Sequence, residues 1–542
     1  MSKIKRLISI MLVAVMVLST LAGCGSKKGT KGGKEASQET SAGDKFGGEI
    51  TIALANAPSS LDQDQGTTWE TTAVTNHIYE GLFEFDASGE PKPYLAESYE
   101  TDDTGLVYTI KLRKGVLFSD GEEMVAEDVK ASIERWLLVN AAGISIADKV
   151  KSVEIVNDYE VVITLNEVYA PFISTIASPV SSQKLVVRKK EIVDQFGTDV
   201  ITKHIGTGPY IVEELALDQK VVLARNENYT PAEGELSGLA GERTAYLDRI
   251  IIEFVPEESV RIAGLESGLY AFADEISTDR YEEIENYKGV SPVTCANGTI
   301  NVIAFNCGIA PFDSKLLRQA VAYSVDNEAL AKAQVGDEAF WYVQDGSWFT
   351  KGSIWYDATA GEGIYNAKDV EKAKELVAES GYNGEKIVIM SDKGDLYTSN
   401  GALVLQDQLK AIGINSEVEL YDTATFQDYR SAGKWNIVLS RWSDMNPDPQ
   451  VFEPWTGTNG WITAWDDEES AEMDAIFEKM SIEIDQDARY ELVKEFYAKF
   501  WDCCPYLKSF NDIRLHAISD NLQGFQAYGQ SYFWSTWLAD KK

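Results

Sequence analysis

Residues 79–136 decide the fold of this chain, and they read YEGLFEFDASGEPKPYLAESYETDDTGLVYTIKLRKGVLFSDGEEMVAEDVKASIERW. Over residues 107–113, apolar and polar side chains alternate with the two-residue period of a strand. Ser119-Asp120-Gly121 then favours a turn. After the turn, apolar side chains recur at the spacing of one helix face, at Val129, Ile133, Trp136 and Leu137. The stretch predicts a strand, a turn and a helix, and it carries no chemistry of its own.

Several short motifs of this stretch follow one another in a characteristic order. They are Tyr79-Glu80-Gly81-Leu82, Leu95-Ala96-Glu97-Ser98, Lys111-Leu112-Arg113-Lys114-Gly115-Val116, Asp120-Gly121 and Ala126-Glu127-Asp128-Val129. In this order they resemble the extracytoplasmic solute-binding proteins of ABC importers, of the oligopeptide, dipeptide and nickel-binding type. The family usually has Thr or Ser where Val125 stands. Val cannot cap the helix, which we expect to cost about 1 kcal/mol.

The beginning of the chain has the pattern of an exported lipoprotein. Basic residues precede the apolar run 7–21, which is too short to span a bilayer and suits a signal peptide. Leu21-Ala22-Gly23-Cys24 resembles a lipobox, in which cleavage before Cys24 leaves a cysteine that carries lipid. We therefore expect residues 1–23 to be a signal peptide and residues 24–46, which have almost no apolar side chains, to be a flexible tether.

Composition restricts what the remaining body can bind. A net charge of −37 and a pI near 4.5 argue against nucleic acid and against attachment to anionic lipid through basic patches. Three histidines make a multi-histidine metal or haem site improbable, and no cofactor is expected. After Cys24, four cysteines remain, namely Cys295, Cys307, Cys503 and Cys504. They allow up to two disulfides, and buried free thiols are an equal alternative.

The resemblance implies an α/β, two-lobed fold of the type II periplasmic-binding-protein kind, with an extra subdomain in the first lobe. The implied boundaries are 47–66, 204–300 and 508–542 for the core of the first lobe, 67–203 for the extra subdomain and 301–507 for the second lobe. Two segments, near residues 300 and 507, would join the lobes as a hinge that closes about a ligand. Within the second lobe, residues 366–376 predict a helix between strands, hence a mixed sheet covered by helices.

The candidate ligand-binding residues come from two places. Ligands of such sheets bind beyond the carboxyl ends of strands, which points to the segment after strand 437–440. In relatives, the loop after the first strand also reaches the cleft. The resemblance and this rule together give the following residues: Thr67, Thr68, Trp69, Phe426, Ser440, Arg441, Trp442, Ser443, Asp444 and Met445.

One position of this segment departs from the peptide-binding relatives. They have an Asp three residues after the Trp, and its carboxylate pairs with the α-ammonium of the peptide. Here Trp442 is followed at that distance by Met445, and the nearest carboxylate is Asp444, one residue earlier. A shift of one residue in an extended segment reverses the side-chain direction. Either Asp444 reaches the ligand through a local turn, or Met445 faces a ligand without a free amine.

The predicted function is capture of oligopeptides or dipeptides in the cleft and delivery to the transmembrane subunits of an ABC permease. The receptor would be a monomer, outside the cytoplasm, periplasmic or held on the outer face of the cell membrane by lipid on Cys24. Aromatic residues around 341–356 and 442–465 leave an oligosaccharide ligand open, since such rings stack on sugars or pack in the core. A secreted glycoside hydrolase is the remaining alternative, although no catalytic motif selects a pair of carboxylates.

Overall fold

The computed structural model describes residues 45–66, 68–180, 183–443, 448–458, 460 and 463–541, without the side chains of residues 296–298 and 396. The strands of these parts are β1 (Glu49–Leu54), β2 (Phe83–Phe85), β3 (Pro91–Pro93), β4 (Ala96–Thr101), β5 (Val107–Leu112), β6 (Val150–Asn157), β7 (Glu160–Leu165), β8 (Tyr210–Ala216), β9 (Lys220–Arg225), β10 (Arg249–Phe254), β11 (Phe272–Ile276), β12 (Val290–Phe305), β13 (Trp341–Tyr342), β14 (Ile387–Asp392), β15 (Ser416–Tyr421), β16 (Ile437–Ser443), β17 (Tyr506–Ser519), β18 (Leu522–Gln523), β19 (Gln526–Tyr528), β20 (Gln530–Tyr532) and β21 (Trp537–Leu538).

The helices are α1 (Trp69–Thr75), α2 (Ala126–Val139), α3 (Ala141–Ile146), α4 (Phe172–Ala177), α5 (Lys190–Phe196), α6 (Glu258–Glu266), α7 (Tyr281–Glu285), α8 (Lys315–Ser324), α9 (Asn327–Gln334), α10 (Val370–Glu379), α11 (Leu396–Ala411), α12 (Thr423–Ser431), α13 (Glu453–Thr456), α14 (Glu468–Ile482) and α15 (Gln486–Cys503). In the part of the chain that is described, none of them combines the length and the apolar character needed to cross a membrane.

One large mixed sheet organises the body. Its strand order is β15-β14-β16-β12-β17-β11-β1-β10-β9-β8, with β13 also paired to β17. β14 runs parallel to both β15 and β16, and β1 runs parallel to both β10 and β11. The long strands β12 and β17 pair antiparallel at its centre. They contain the two segments, near residues 300 and 507, that the sequence predicts as crossings.

A second sheet, of four antiparallel strands in the order β4-β5-β7-β6, takes two of its strands, β4 and β5, from residues 79–136. The strand predicted over residues 107–113 is β5, and the predicted helix is α2. The alternation on β5 follows from burial, because Tyr108, Ile110 and Leu112 face a core that also holds Ile133 and Trp136 of α2. The predictions for this stretch are confirmed.

The amino-terminal end of α2 has no side-chain cap at Val125, but hydrogen bonds to the Asp128 carboxylate stabilise it. Val125 offers no side-chain acceptor. Instead, the Asp128 carboxylate accepts a hydrogen bond from the backbone N–H of Val125 at 2.9 Å and another from that of Lys190 at 2.7 Å. The helix is thereby fixed to the segment that leads into α5.

Buried apolar side chains form three clusters. One lies in the four-stranded sheet and α2, one around β1, β9 and β10, and the largest around β12, β14, β16 and the helices of residues 315–503. Residues 45–542 nevertheless form one compact unit. The exact boundaries of the lobes and of the extra subdomain stay a prediction.

The structure differs from two predictions about local structure. The helix predicted over residues 366–376 begins only at Val370, because Asn366 and Lys368 have left-handed backbones and Asp369 caps the helix by accepting from the N–H of Lys372. That prediction began four residues too early. At the other end of the chain, Phe46, which the tether was expected to include, packs edge-on against Tyr246.

The four cysteines of the body, Cys295, Cys307, Cys503 and Cys504, are buried and form no disulfide in the described structure. Burial raises the pKa of the Cys307 and Cys503 thiols to about 12. The sequence left open either disulfides or buried thiols, and in the structure these cysteines are buried thiols.

Candidate functional site

Five of the predicted residues line one cavity of about 490 Å³, here called the strand-end cavity. They are Phe426, Ser440, Arg441, Trp442 and Ser443. Phe426 comes from α12, and the other four form the carboxyl-terminal half of β16. The sequence folds this way because Ile437, Val438 and Leu439 are buried and fix β16 in the sheet, so that the polar end of the strand emerges at the sheet's edge.

The same cavity has walls that sequence reasoning missed. Asp392 ends the parallel neighbour β14, and Asp395 caps α11 immediately after it. The rule that selected residues 440–443 applies equally to β14, so these two carboxylates could have been found. Gln183, which lies between α4 and α5, and Trp455 of α13 also line the cavity, and no local pattern marks either of them.

Arg441 connects the strand-end cavity with a second one. Its guanidinium donates to the Asp512 carboxylate at 2.6 Å and lies 4.7 Å from the ring centroid of Tyr397. Both partners, with Arg441 itself, line a cavity of about 290 Å³, here called the hinge cavity. Its opposite wall comes from α6, β11 and β17, including Arg261 and Glu275. The hinge cavity is thus bounded by side chains from both halves of the sheet.

Trp69, the predicted residue at the start of α1, lines a third, smaller space, here called the inner cavity. The guanidinium of Arg514 lies 4.5 Å from the centroid of the Trp69 ring. Arg514 and Glu275 line both the inner and the hinge cavity. The inner cavity thus adjoins the hinge cavity, and the hinge cavity adjoins the strand-end cavity through Arg441. Together the three cavities extend from Trp69 to Trp442.

Not every candidate lies in these walls. Thr68 stands directly before α1, where its hydroxyl is 3.3 Å from that of Thr71, and it lines none of the three cavities. Thr67, Asp444, Met445 and the lipidation candidate Cys24 lie outside the described residues. The ligand-binding role of all the candidates stays a prediction.

Charge is concentrated where the inner and hinge cavities meet. His516 Nδ1 lies 2.9 Å from the Asp274 carboxylate. Although burial opposes the charged imidazole, the hydrogen bond to Asp274 raises the pKa of His516 to about 9. The Glu275 side chain is exposed to the cleft on one side, but the walls exclude water from its other sides. This desolvation, together with repulsion from Asp274, raises the pKa of Glu275. Displaced pKa values in a cleft are typical of functional sites.

The Asp274–His516 pair makes stability depend on pH. The folded-state pKa of about 9 lies above the 6.5 of an ordinary histidine, so the pair stabilises the fold fully below pH 6.5 and loses this contribution as the pH rises through 9. We expect the difference in unfolding free energy between the wild type and His516→Asn to shrink by up to about 3 kcal/mol over this window. Urea titrations at a series of pH values measure it. A difference that is independent of pH would contradict the assignment.

Asp448, which follows the strand-end segment in the chain, has a structural partner. Both of its carboxylate oxygens accept from Arg489, at 2.6 and 2.5 Å, and both residues are buried. The pair fixes the beginning of the segment that leads to Trp455. Asp448 therefore belongs to the scaffold of the strand-end cavity.

The aromatic residues divide between core and cavity. Trp348, Trp355 and Trp465 are buried in the core of the second half. Trp442 and Trp455, with ring centroids 4.7 Å apart, reach the strand-end cavity. Trp461 lies outside the described residues. Of the described tryptophans of this cluster, three thus pack in the core and two line the strand-end cavity.

One group of side chains has metal-ligand spacing in the described residues: ligand atoms of Glu469, Asp502 and Cys503 lie within 4.8 Å of one another. The Lys315 ammonium pairs with both carboxylates, at 2.5 Å from Glu469 and 3.0 Å from Asp502. The Lys315 ammonium therefore already provides these carboxylates with the positive charge that a metal ion would bring.

Comparison with known proteins agrees with this architecture. The model of the bacterial extracellular solute-binding proteins, family 5, matches residues 90–463. A probable peptide ABC transporter periplasmic-binding protein, y4tO, from Sinorhizobium fredii is 28% identical over 88% of this chain and 90% of its own length. The oligopeptide-binding protein AppA of Bacillus subtilis is 26% identical over 98% of both chains.

Among solved structures, the ABC transporter substrate-binding protein CtaP of Listeria monocytogenes superposes with a TM-score of 0.79 at 21% identity, over 92% of this chain and 100% of that one. This likeness establishes the α/β, two-lobed fold of periplasmic binding proteins that the sequence predicts. The family model covers well over half of the chain, and its residues include the motifs of 95–129 and the strand-end segment. The chain belongs to the bacterial extracellular solute-binding proteins of family 5.

Proposed function

We propose that this protein is the receptor of an ABC importer, which captures a short peptide in the cleft between its lobes and delivers it to the transmembrane permease. The observation that carries the peptide assignment is the edge of β16. On one side, β12 pairs with β16 over its whole length, from Ile437 to Ser443. On the other side, the pairing with β14 in the described structure ends after Val438.

This edge suits an extended peptide. From Leu439 to Trp442, β16 is no longer paired with its parallel neighbour β14 and forms a wall of the strand-end cavity. A ligand strand can add to such an edge through main-chain hydrogen bonds, which give affinity for peptides of many sequences, while side-chain pockets select among them. Sugars have no backbone to continue a sheet. The names of the relatives y4tO and AppA, which refer to peptides, support the same choice.

Capture would work by closure. Arg261 and Arg514 face the hinge cavity from one half of the sheet, and Tyr397 and Arg441 face it from the other. A ligand that contacts both sides stabilises the closed arrangement, because only that arrangement offers all of its contacts at once. The strands β12 and β17, which join the halves, would provide the hinge.

The finer aspects of the proposal concern location. We place the receptor outside the cytoplasm, as a monomer held at the membrane by lipid on Cys24 and a tether that ends near Lys45. The lipobox pattern of residues 21–24 and the polar composition of residues 25–44 support this. As a receptor, it would release its solute chemically unchanged.

Mass spectrometry of the solute that co-purifies with the full chain tests the proposal. We expect short peptides, recovered intact after prolonged incubation, and an intact mass of the detergent-extracted protein that includes a diacylglycerol group at Cys24. Peptides added back to the emptied receptor should then bind in titration calorimetry. Recovery of an oligosaccharide would overturn the peptide assignment. Progressive cleavage of the bound solute would overturn the receptor assignment.

A further inference from the structure

The inner cavity lies inside the first half of the sheet and opens toward the ligand cleft. Its apolar floor comes from β1 and β10, through Ile52, Leu54 and Ile252. Its mouth is formed by Glu275 and Arg514, which it shares with the hinge cavity. Its volume is about 40 Å³, so it can hold a chemical group of only a few non-hydrogen atoms.

Two polar side chains in the cavity wall are buried without hydrogen-bond partners. Gln530 is 6% exposed and Ser531 is 8% exposed. Within the described structure, neither the amide oxygen nor the amide nitrogen of Gln530 has a partner, and neither does the Ser531 hydroxyl. A buried polar group without a hydrogen-bond partner is unfavourable, and a ligand that supplies the partner removes this cost. The wall therefore presents both donors and acceptors to whatever polar group enters.

Glu275 is held at the mouth of this cavity in an unusual backbone conformation. Its φ of 42° is left-handed, and it lies in a bulge between Ala273 and Ile276 where the register of β11 with β17 shifts. Arg261 fixes the bulge by donating to the carbonyl oxygens of Asp274 and Glu275, at 3.0 and 2.9 Å. While Asp274 turns to His516, the exposed Glu275 side chain is directed to the cleft.

The charges at the mouth have no ion-pair partners in the described part of the chain. The Glu275 carboxylate lies in no salt bridge, and the guanidinium of Arg514 donates only a long hydrogen bond, of 3.5 Å, to the Thr299 hydroxyl. Arg514 is held in place by its stacking on Trp69. An ammonium and a neighbouring carbonyl oxygen, two or three bonds apart, would complement this carboxylate and guanidinium.

We propose that the inner cavity and its mouth recognise the amino-terminal residue of the peptide. Glu275 binds the free α-ammonium, Arg514 binds the first carbonyl oxygen, and Gln530 with Ser531 binds a small polar side chain such as that of Asn, Ser or Thr. Glu275 and Gln530 are therefore specificity-determining residues. This inference rests on the proposed function, because it names one end of the same ligand.

Synthetic peptide pools test it with the full chain. The pools contain tri- to hexapeptides that begin with Asn and are randomised thereafter, the same peptides acetylated at the amino terminus, and a matched pool that begins with Leu. Native mass spectrometry and calorimetry report the apparent Kd. We expect the wild type to prefer free over acetylated Asn peptides by about tenfold or more, and Asn over Leu peptides by about fivefold or more.

Two variants assign these preferences to residues. Glu275→Gln is expected to reduce the preference for the free amine to about twofold or less while keeping the preference for Asn. Gln530→Leu is expected to reduce the preference for Asn over Leu while keeping the preference for the free amine. Glu266→Gln, which removes an exposed carboxylate at the end of α6, is the matched control and should leave both preferences unchanged. Since the Glu275 side chain is exposed, its variant should fold even if that of Gln530 does not.

The outcomes separate the two proposals. If peptides bind but the wild type treats free and acetylated pools alike, or Glu275→Gln keeps the full preference, this inference is wrong and the peptide receptor stands. If no pool binds to a folded, emptied receptor, the peptide function fails, and this inference fails with it.

Discussion

Replacing Arg188 with Met is expected to lower the free energy of unfolding by about 3–5 kcal/mol. Arg188 is 1% exposed and belongs to a buried network with Asp62, Asp64 and Arg135. It donates to Asp62 at 2.9 Å and to Asp64 at 3.2 Å, while Arg135 pairs with the same two carboxylates. Without Arg188, two buried carboxylates share a single guanidinium, and the lost attraction is not replaced by water.

Charge balance provides the matched control for this prediction. Adding Asp64→Asn to Arg188→Met leaves one carboxylate with one guanidinium, so the double variant should be more stable than Arg188→Met alone. Because burial already raises the pKa of Asp64, the loss of stability of the single variant relative to the wild type should also be smaller at pH 5 than at pH 8, as the carboxylate takes up a proton. Urea titrations measure both effects. A single variant as stable as the wild type would show that the network contributes nothing.

The network matters for function through the loop that carries it. Asp62 and Asp64 lie in the segment between β1 and α1, which leads to Trp69 at the inner cavity. Arg135 and Arg188 hold this segment against α2 and the residues that precede α5. We therefore expect Arg188→Met to weaken peptide binding as well as stability.

Replacing Arg489 with Met is expected to cost a similar amount, about 3–5 kcal/mol, in the second half of the molecule. The variant leaves the buried Asp448 carboxylate without its bidentate partner, and it also removes the hydrogen bond from Arg489 Nε to the Met480 carbonyl oxygen at 2.9 Å. Thermal or urea unfolding measures the loss.

Two further variants test the cause. Arg489→Lys keeps the charge but cannot form two parallel hydrogen bonds, so an intermediate loss is expected. The double variant with Asp448→Asn removes the uncompensated charge and should be more stable than Arg489→Met alone. If the double variant is no better than the single one, packing of the guanidinium against Trp355, 5.0 Å away, is the main contribution instead.

The fold could be predicted from local patterns because those patterns reflect burial. The alternation of residues 107–113 and the helical spacing of Val129, Ile133 and Trp136 exist because one face of each element packs in the same core. The helix expected over residues 366–376 was placed too early. Its start is set by Asp369, which caps the helix, and this cap outweighs the helical preference of the residues before it.

The site was predictable only in part. Ser440 to Ser443 could be named because they continue a buried strand beyond its end, a feature visible in the sequence. Glu275, Arg514 and Gln530 have no such marking. They come from three strands, β11 of five residues, β17 of fourteen and β20 of three, and are separated in the chain by up to 255 positions. Only the pairing of β11 with β17 and the packing of β20 bring them together.

The sequence by itself determined the elements, the mixed sheet, the family and one wall of the cleft, since short-range periodicity and motif order are properties of neighbouring residues. Only the tertiary structure decided that Asp448 is paired with Arg489, that the cysteines are buried thiols and that an unpaired carboxylate and guanidinium face the cleft together. These are outcomes of long-range contact, because whether a charge is paired or exposed depends on side chains that arrive from distant parts of the chain.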